Sequence, residues 1–100
     1  MLKISIDEEK NLIVLRVEGK LITPWTEELE RAWELILGML DSRTLCVDIR
    51  NATFIDQNGL EILGRIIKVA NTTVLADSPL TKQFAEQARQ NRNNQEREQQ

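Results

Sequence analysis

The 100-residue sequence has no histidine, no tyrosine and a single cysteine, Cys46. Without histidine, the usual general base near neutral pH, a phosphohistidine relay and most zinc sites are excluded. A lone cysteine rules out a disulfide within the chain, and Cys46, in the middle of an apolar alternation, reads as a buried, inert thiol. Two tryptophans and two phenylalanines are the only aromatic residues, so aliphatic side chains carry the packing. No apolar run approaches the roughly 20 residues of a membrane span, and MLKISIDEEK does not have the grammar of a signal peptide. A cytoplasmic protein without direct membrane insertion is expected. The glycines, at positions 19, 38, 59 and 64, are scattered, so no glycine-rich loop cradles a phosphate. Thirteen basic against sixteen acidic residues leave a net charge of −3 and no basic face of the kind that nucleic acid requires.

What is present suffices for one small domain, burying roughly 60–65% of its extended-chain surface and stable by about 5–10 kcal/mol. Leu2, Ile4 and Ile6 alternate with polar residues and predict a half-buried edge strand. After the polar turn DEEKN, NLIVLRVEG predicts a second strand, antiparallel to the first and more central because Leu12–Leu15 is continuously apolar. Thr23-Pro24 reads as a helix start, a hydroxyl cap followed by proline at the first helical position. Trp25, Leu29, Ala32, Trp33, Ile36, Leu37 and Leu40 then share one stripe, with Glu27, Glu28, Glu30, Arg31 and Glu34 opposite. At this spacing Trp33 reads as core and Trp25 is divided between core and partner anchor. The acidic residues read as a solvated face.

The centre of the chain is residues 44–70. Leu45, Val47 and Ile49 alternate with Cys46, Asp48 and Arg50 and predict a buried strand. A short corner follows, and then a helix whose apolar stripe runs from Leu60 through Ile62, Leu63, Ile66 and Ile67 to Val69 and Ala70. Asp56 is placed to cap this helix, accepting from the free N–H groups of its first turn and facing the positive end of its dipole. Gly59 lets that first turn approach a neighbour, whereas Gly64 is merely tolerated. Asn71 fits a C-cap, Thr72–Ala76 a further parallel strand, and Ser78-Pro79 the start of a last helix carrying Leu80, Phe84 and Ala88. From Arg89 to Gln100 only Arg, Gln, Asn and Glu occur, so residues 89–100 are expected to be a frayed helical extension or a disordered tail to a domain of residues 1–88. The order β-β-α-β-α-β-α predicts an α/β domain with a mixed, mostly parallel sheet and helices mainly on one face.

Asp48, Asp56 and Asp77 fall near the carboxyl ends of predicted parallel strands, where α/β proteins hold ligands. A magnesium or phosphoacceptor site would also need a positioned lysine, and none lies at such a corner. Asp56 and Ser78 are explained as caps, and Asp48 as a residue on the less covered face. No catalytic residue, metal site or cofactor is therefore expected. The exposed start of the central helix is the best candidate for function.

The run V-D-I, a short corner, then F-I-D, two polar residues and G-L resembles the STAS domain. That family includes bacterial anti-sigma-factor antagonists and the cytoplasmic domains of sulphate transporters. The matching residues are Val47, Asp48, Ile49, Phe54, Ile55, Asp56, Gly59 and Leu60, joined by V-E-G-K-L at residues 17–21 and by Ser78-Pro79, so the likeness spans residues 2–88. It implies a bacterial, non-catalytic protein-interaction module that regulates transcription by partner switching. In the antagonists, a serine or threonine at the start of the central helix is phosphorylated by a partner kinase that is also the anti-sigma factor, and the unphosphorylated form binds that partner. Here Asn58 holds the phosphoacceptor position, Gln57 replaces a small residue, and Ile22 stands where an acidic residue is common. The resemblance therefore implies a partner surface of Asp56, Gln57, Asn58, Gly59, Ile22 and Thr23 that is not switched at its usual residue. Thr23, Thr26 and Thr53 are the other hydroxyls nearby. A soluble subunit or regulator of a membrane transporter is the alternative within the same family.

Overall fold

The computed structural model describes residues 1–69 and 72–98, with side chains to residue 90. In chain order the elements are β1 (Leu2–Glu8), β2 (Leu12–Leu21), α1 (Thr26–Met39), β3 (Thr44–Asp48), β4 (Ala52–Ile55), α2 (Gln57–Ile67), β5 (Thr72–Leu75) and α3 (Pro79–Glu98). The expected order holds with one addition, since the corner before α2 contains the short strand β4. The sheet runs β1-β2-β3-β5, with β4 also on β2. Among the described strands only β1 is antiparallel to its neighbour. No helix among the described residues is long and apolar enough to cross a membrane.

Strand β2 pairs with β3 over Leu12–Arg16 and then with β4 from Gly19 onward, with a register break between Gly19 and Lys20. Gly19 has a φ of +88°, and a Cβ there would lie 2.0 Å from the Met1 carbonyl oxygen, so this bulge requires glycine. The sequence of β4 does not alternate, which is why it reads as part of an irregular corner: Ala52 and Ile55 are buried, but Thr53 and Phe54 between them are exposed.

Ile13, Leu15 and Val17 of β2, Leu45 and Val47 of β3, and Ile49 form one continuous core with the buried faces of the three helices. From α2 come Leu60, Ile62, Leu63, Ile66 and Ile67, and from α3 Phe84, Ala85 and Ala88. Helix α1 lies against β1 and α2 and contributes Leu29, Ala32 and Ile36, with Trp33 and Leu40 packed at their margin. Its stripe is narrower than the sequence pattern predicts, because Trp25 and Leu37 are half exposed. Thr23 and Pro24 do not cap α1 either. The helix begins at Thr26, Trp25 precedes it without a side-chain capping bond, and residues 23–25 form a turn. Thr23 is instead drawn to a carboxylate on another element, described below.

Helix α3 starts as expected. The Ser78 hydroxyl accepts from the Thr81 N–H at 3.1 Å, while Thr81 Oγ1 accepts from the N–H groups of Asp77 and Ser78 at 3.1 and 3.0 Å, a reciprocal capping box. Leu80 is exposed rather than packed, and Ala88 is the last buried side chain among those described. Helix α2 closes at Ile67, with the Lys68 N–H on the Gly64 carbonyl. The expected C-cap Asn71 and the end of the stripe at Ala70 lie outside the described residues.

On the opposite face of the sheet, Val14, Cys46 and Asp48 are buried but stand apart from the main core. Burial pushes the Cys46 thiol pKa up, in keeping with an inert cysteine. Asp48 is not a solvated residue of a thinly covered face: it is 2% exposed because two arginines lie over it. Its carboxylate accepts from the Arg50 N–H, Nε and Nη2 at 3.0, 3.0 and 2.9 Å and from Arg16 Nε at 3.3 Å. Arg16 Nη1 continues the network to Asp7 at 2.9 Å. The Arg50 side-chain bonds, working against desolvation, lower the Asp48 pKa from 3.8 to about 2.

Candidate functional site

The start of α2 is built by two corners that hold each other, the β2–α1 corner at 22–26 and the β4–α2 corner at 56–59. Asp56 sits in extended backbone with φ −81° and ψ 177°, the conformation of an N-cap. Its Oδ1 accepts from the Gly59 N–H at 2.8 Å. Its Oδ2 accepts from the N–H of Thr23 at 2.9 Å and from the Thr23 hydroxyl at 3.2 Å. The Asp56 N–H in turn donates to the Leu21 carbonyl at 3.0 Å. Partial burial raises the Asp56 pKa, but the Thr23 and Gly59 N–H groups and the Thr23 hydroxyl outweigh it, and the net shift is downward. The cap expected from the sequence is therefore present, and it also fastens α2 to the chain entering α1.

Asn58 reaches across the same gap. Its Nδ2 donates to Thr26 Oγ1 at 2.9 Å and to Thr23 Oγ1 at 3.3 Å. Asn58 and Gln57 are exposed, Ile22 is half-buried and Gly59 is buried. The structure thus brings five of the six residues, Asp56, Gln57, Asn58, Gly59 and Thr23, to one helix start. Ile22 stands beside them and faces a hollow of about 160 Å³ lined also by Met1, Leu2, Lys20 and Trp25.

Gly59 has a packing reason to lack a side chain. A Cβ there would stand 2.9 Å from Ile55 Cγ2 and 3.0 Å from Leu21 Cγ and Cδ2. Gly59→Ala is expected to cost about 1–2 kcal/mol by overpacking, read as a fall in the urea midpoint at unchanged m-value.

In the sequence Thr26 is only one of three hydroxyls near the helix start. In the structure it is 1% exposed and accepts from Asn58, so it is the inner wall of the site. The spacing of Thr23 and Thr26, one helical turn, was the available signal, but it is indistinguishable from ordinary helix-start chemistry. Half-exposed Trp25 likewise belongs to the rim of this surface. The three aspartates considered for catalysis take separate roles. Asp48 is held between two arginines, Asp56 caps α2, and Asp77 donates its N–H to the box that starts α3. Among the described residues no group of three or more His, Cys, Asp or Glu side chains is placed to hold a metal ion.

No protein-family model and no curated protein matches the sequence. Solved structures do match. An anti-sigma factor antagonist from Mycobacterium paratuberculosis superposes with a TM-score of 0.71 at 23% identity, covering 83% of this chain and 74% of that one. The anti-sigma factor antagonist SpoIIAA in its unphosphorylated form gives 0.63 at 20% identity, covering 84% and 78%. An antisigma-factor antagonist STAS domain from Rhodobacter sphaeroides gives 0.60 at 16% identity, covering 74% and 85%. The chain therefore has the fold of the anti-sigma-factor antagonist STAS domains.

Proposed function

We propose that this protein is a non-catalytic, partner-binding regulatory module of the anti-sigma-factor antagonist type, unable to be switched at residue 58. The observation that carries the reading is Asn58 itself, exposed on the first turn of α2 and pinned by the hydroxyls of Thr23 and Thr26. A serine or threonine here would present a hydroxyl at the positive end of the helix dipole, where a phosphate is readily held. Such a phosphate brings a charge of about −1.5 to −2 to the middle of the surface and drives a partner away. Asparagine has a similar polarity without charge and carries no hydroxyl to accept a phosphoryl group, so the surface stays in the state of an unmodified antagonist. Gln57 and Asn58 form its polar centre, with Ile22, Thr23 and Trp25 alongside. The partner is a protein, an anti-sigma factor with serine-kinase activity, and the setting is cytoplasmic.

The test is capture from lysate on immobilised protein, with Asn58→Glu and Asn58→Ser as parallel baits. An ATPase-fold kinase should be held by the wild type and by Asn58→Ser and bound about tenfold more weakly by Asn58→Glu, a difference of about 1.4 kcal/mol. With ATP present, only Asn58→Ser should gain a phosphate. A kinase bound equally by all three baits would remove residue 58 from the interface. Recovery of a transporter subunit in its place would move the protein to the transporter branch of the same fold.

A further inference from the structure

We infer that β1 is a self-pairing edge, through which two copies of this chain join their sheets antiparallel about a two-fold axis at Ser5. One end of this edge, at Leu2, borders the hollow beside Ile22 and Trp25, but the inference does not depend on the function proposed above.

Strand β1 is an edge of the sheet, and it runs for seven residues in unbroken register with β2. Between Leu2 and Glu8 it has no proline and no bulge, two of the usual devices that blunt an edge. Its hydrogen-bonding parity follows from two bonds. The Lys20 N–H donates to the Met1 carbonyl, and the Glu9 N–H to the Leu12 carbonyl. Odd-numbered residues of β1 thus bond inward to β2, and by the alternation of an antiparallel ladder the N–H and C=O groups of Leu2, Ile4, Ile6 and Glu8 point outward.

Placing a two-fold axis at Ser5 sets Ile4 opposite Ile6 of the second copy and Leu2 opposite Glu8. Every outward group then faces one of the same kind of ladder position. The same register sets Lys3 opposite Asp7 at both ends, and these are non-hydrogen-bonded pairs, whose side chains lie closest. Asp7 has a side chain 55% exposed and already holds Arg16 at 2.9 Å, leaving room for a second cation. Moving the axis to Ile4 would leave Lys3 opposite Ser5 and lose both ion pairs, and moving it to Ile6 would leave Asp7 opposite Ser5 and trade them for Lys3 opposite Glu9, which lies past the end of β1. Within the strand the charges therefore favour the register centred on Ser5 rather than prevent pairing.

The apolar face points the same way. Ile4, Ile6, Ala32 and Leu35 line an open groove of about 520 Å³ between β1 and α1, with Glu28 and Arg31 at its rim. Leu35 is 67% exposed. Because opposed residues of paired strands share a face, the two grooves become one in the pair, floored by Ile4 and Ile6 of both copies.

The experiment is sedimentation velocity over a concentration series, together with oxidation of Ser5→Cys. The two introduced thiols, facing each other across the axis, would sit on Cα atoms about 4.5 Å apart, within disulfide reach. In Glu8→Cys the two thiols would be about 20 Å apart. Wild type should show a concentration-dependent dimer, weakened at least tenfold by Lys3→Glu. Ser5→Cys should cross-link at least tenfold faster than Glu8→Cys, and adding Lys3→Glu should slow it. A chain that stays monomeric at several hundred micromolar, or equal cross-linking of the two cysteine variants, overturns the inference and leaves the edge to a strand from another protein or to none.

Discussion

Asp48→Ala is expected to destabilise the domain by about 3 kcal/mol, lowering Tm by roughly 12 °C or more. Breaking a buried ion pair from one side costs about 3–5 kcal/mol, because the remaining charge is left without its counter-charge. The lower end applies here, since the Arg16 and Arg50 side chains retain 32% and 47% exposure and regain some water. The wild type should also show the loss as a pH effect. Asp48 has a folded-state pKa of about 2 against an ordinary 3.8, so folding is favoured by its ionisation. That contribution is complete above the unfolded-state pKa and disappears as pH falls through the folded one, from about pH 5 to pH 2. Its size is roughly 2 kcal/mol. Urea unfolding at pH 7, 4, 3 and 2 measures it, and Asp48→Ala should show a correspondingly flatter dependence. Parallel curves for the two proteins would mean that Asp48 is not the linked group.

The second large effect is expected at Asp56. Removing an N-cap costs about 1 kcal/mol, but Asp56→Ala also strips the N–H and hydroxyl of Thr23 of their acceptor. The sum should reach about 2–3 kcal/mol. The effect should be local as well as global: amide exchange at Thr23 and Gly59 should accelerate before that of the core strands. Asp56→Asn, which keeps an acceptor, should cost less than half as much. If Asp56→Ala proved as mild as a substitution at exposed Thr53, the two corners would not be joined through this carboxylate. Because the depressed pKa of Asp56 has the same sign as that of Asp48, this joint too should weaken in acid.

Legibility in the sequence followed the type of interaction. Periodic burial was readable. The alternation in β3 marked the strand and its core face, the stripe of α2 up to Val69 marked that helix and its buried face, and Ser78-Pro79 marked the start of α3 because a cap bonds within its own turn. What escaped were features set by distant partners. Thr23-Pro24 has the grammar of a helix start, yet the Asp56 carboxylate, a charged acceptor 33 residues away, takes Thr23 for itself. Asp48 alternates like a surface residue, and nothing local says that Arg16 from the neighbouring strand will cover it. The apolar pattern of α1 could not show that the helix lies over an edge strand, where Leu37 and Trp25 have no neighbour to bury them. At the site, Asp56 and Gly59 were readable as cap and close-contact glycine, whereas the part played by Thr26 arises only when two corners meet.

The arrangement of strands around β2 also bears on the order in which the domain assembles. β2 pairs locally with β1, then accepts β3 and β4 in turn along its other side, and β5 adds to β3. Each strand after β1 meets, as it leaves the ribosome, a neighbour already made, and only β1 waits for the next. The hairpin, with the shortest loop to close, is the natural nucleus, and growth from it proceeds in the direction of synthesis. The glycine bulge in β2, which lets one strand seat two successors end to end, thus makes the N-terminal hairpin a template on which the rest of the sheet is laid down in chain order.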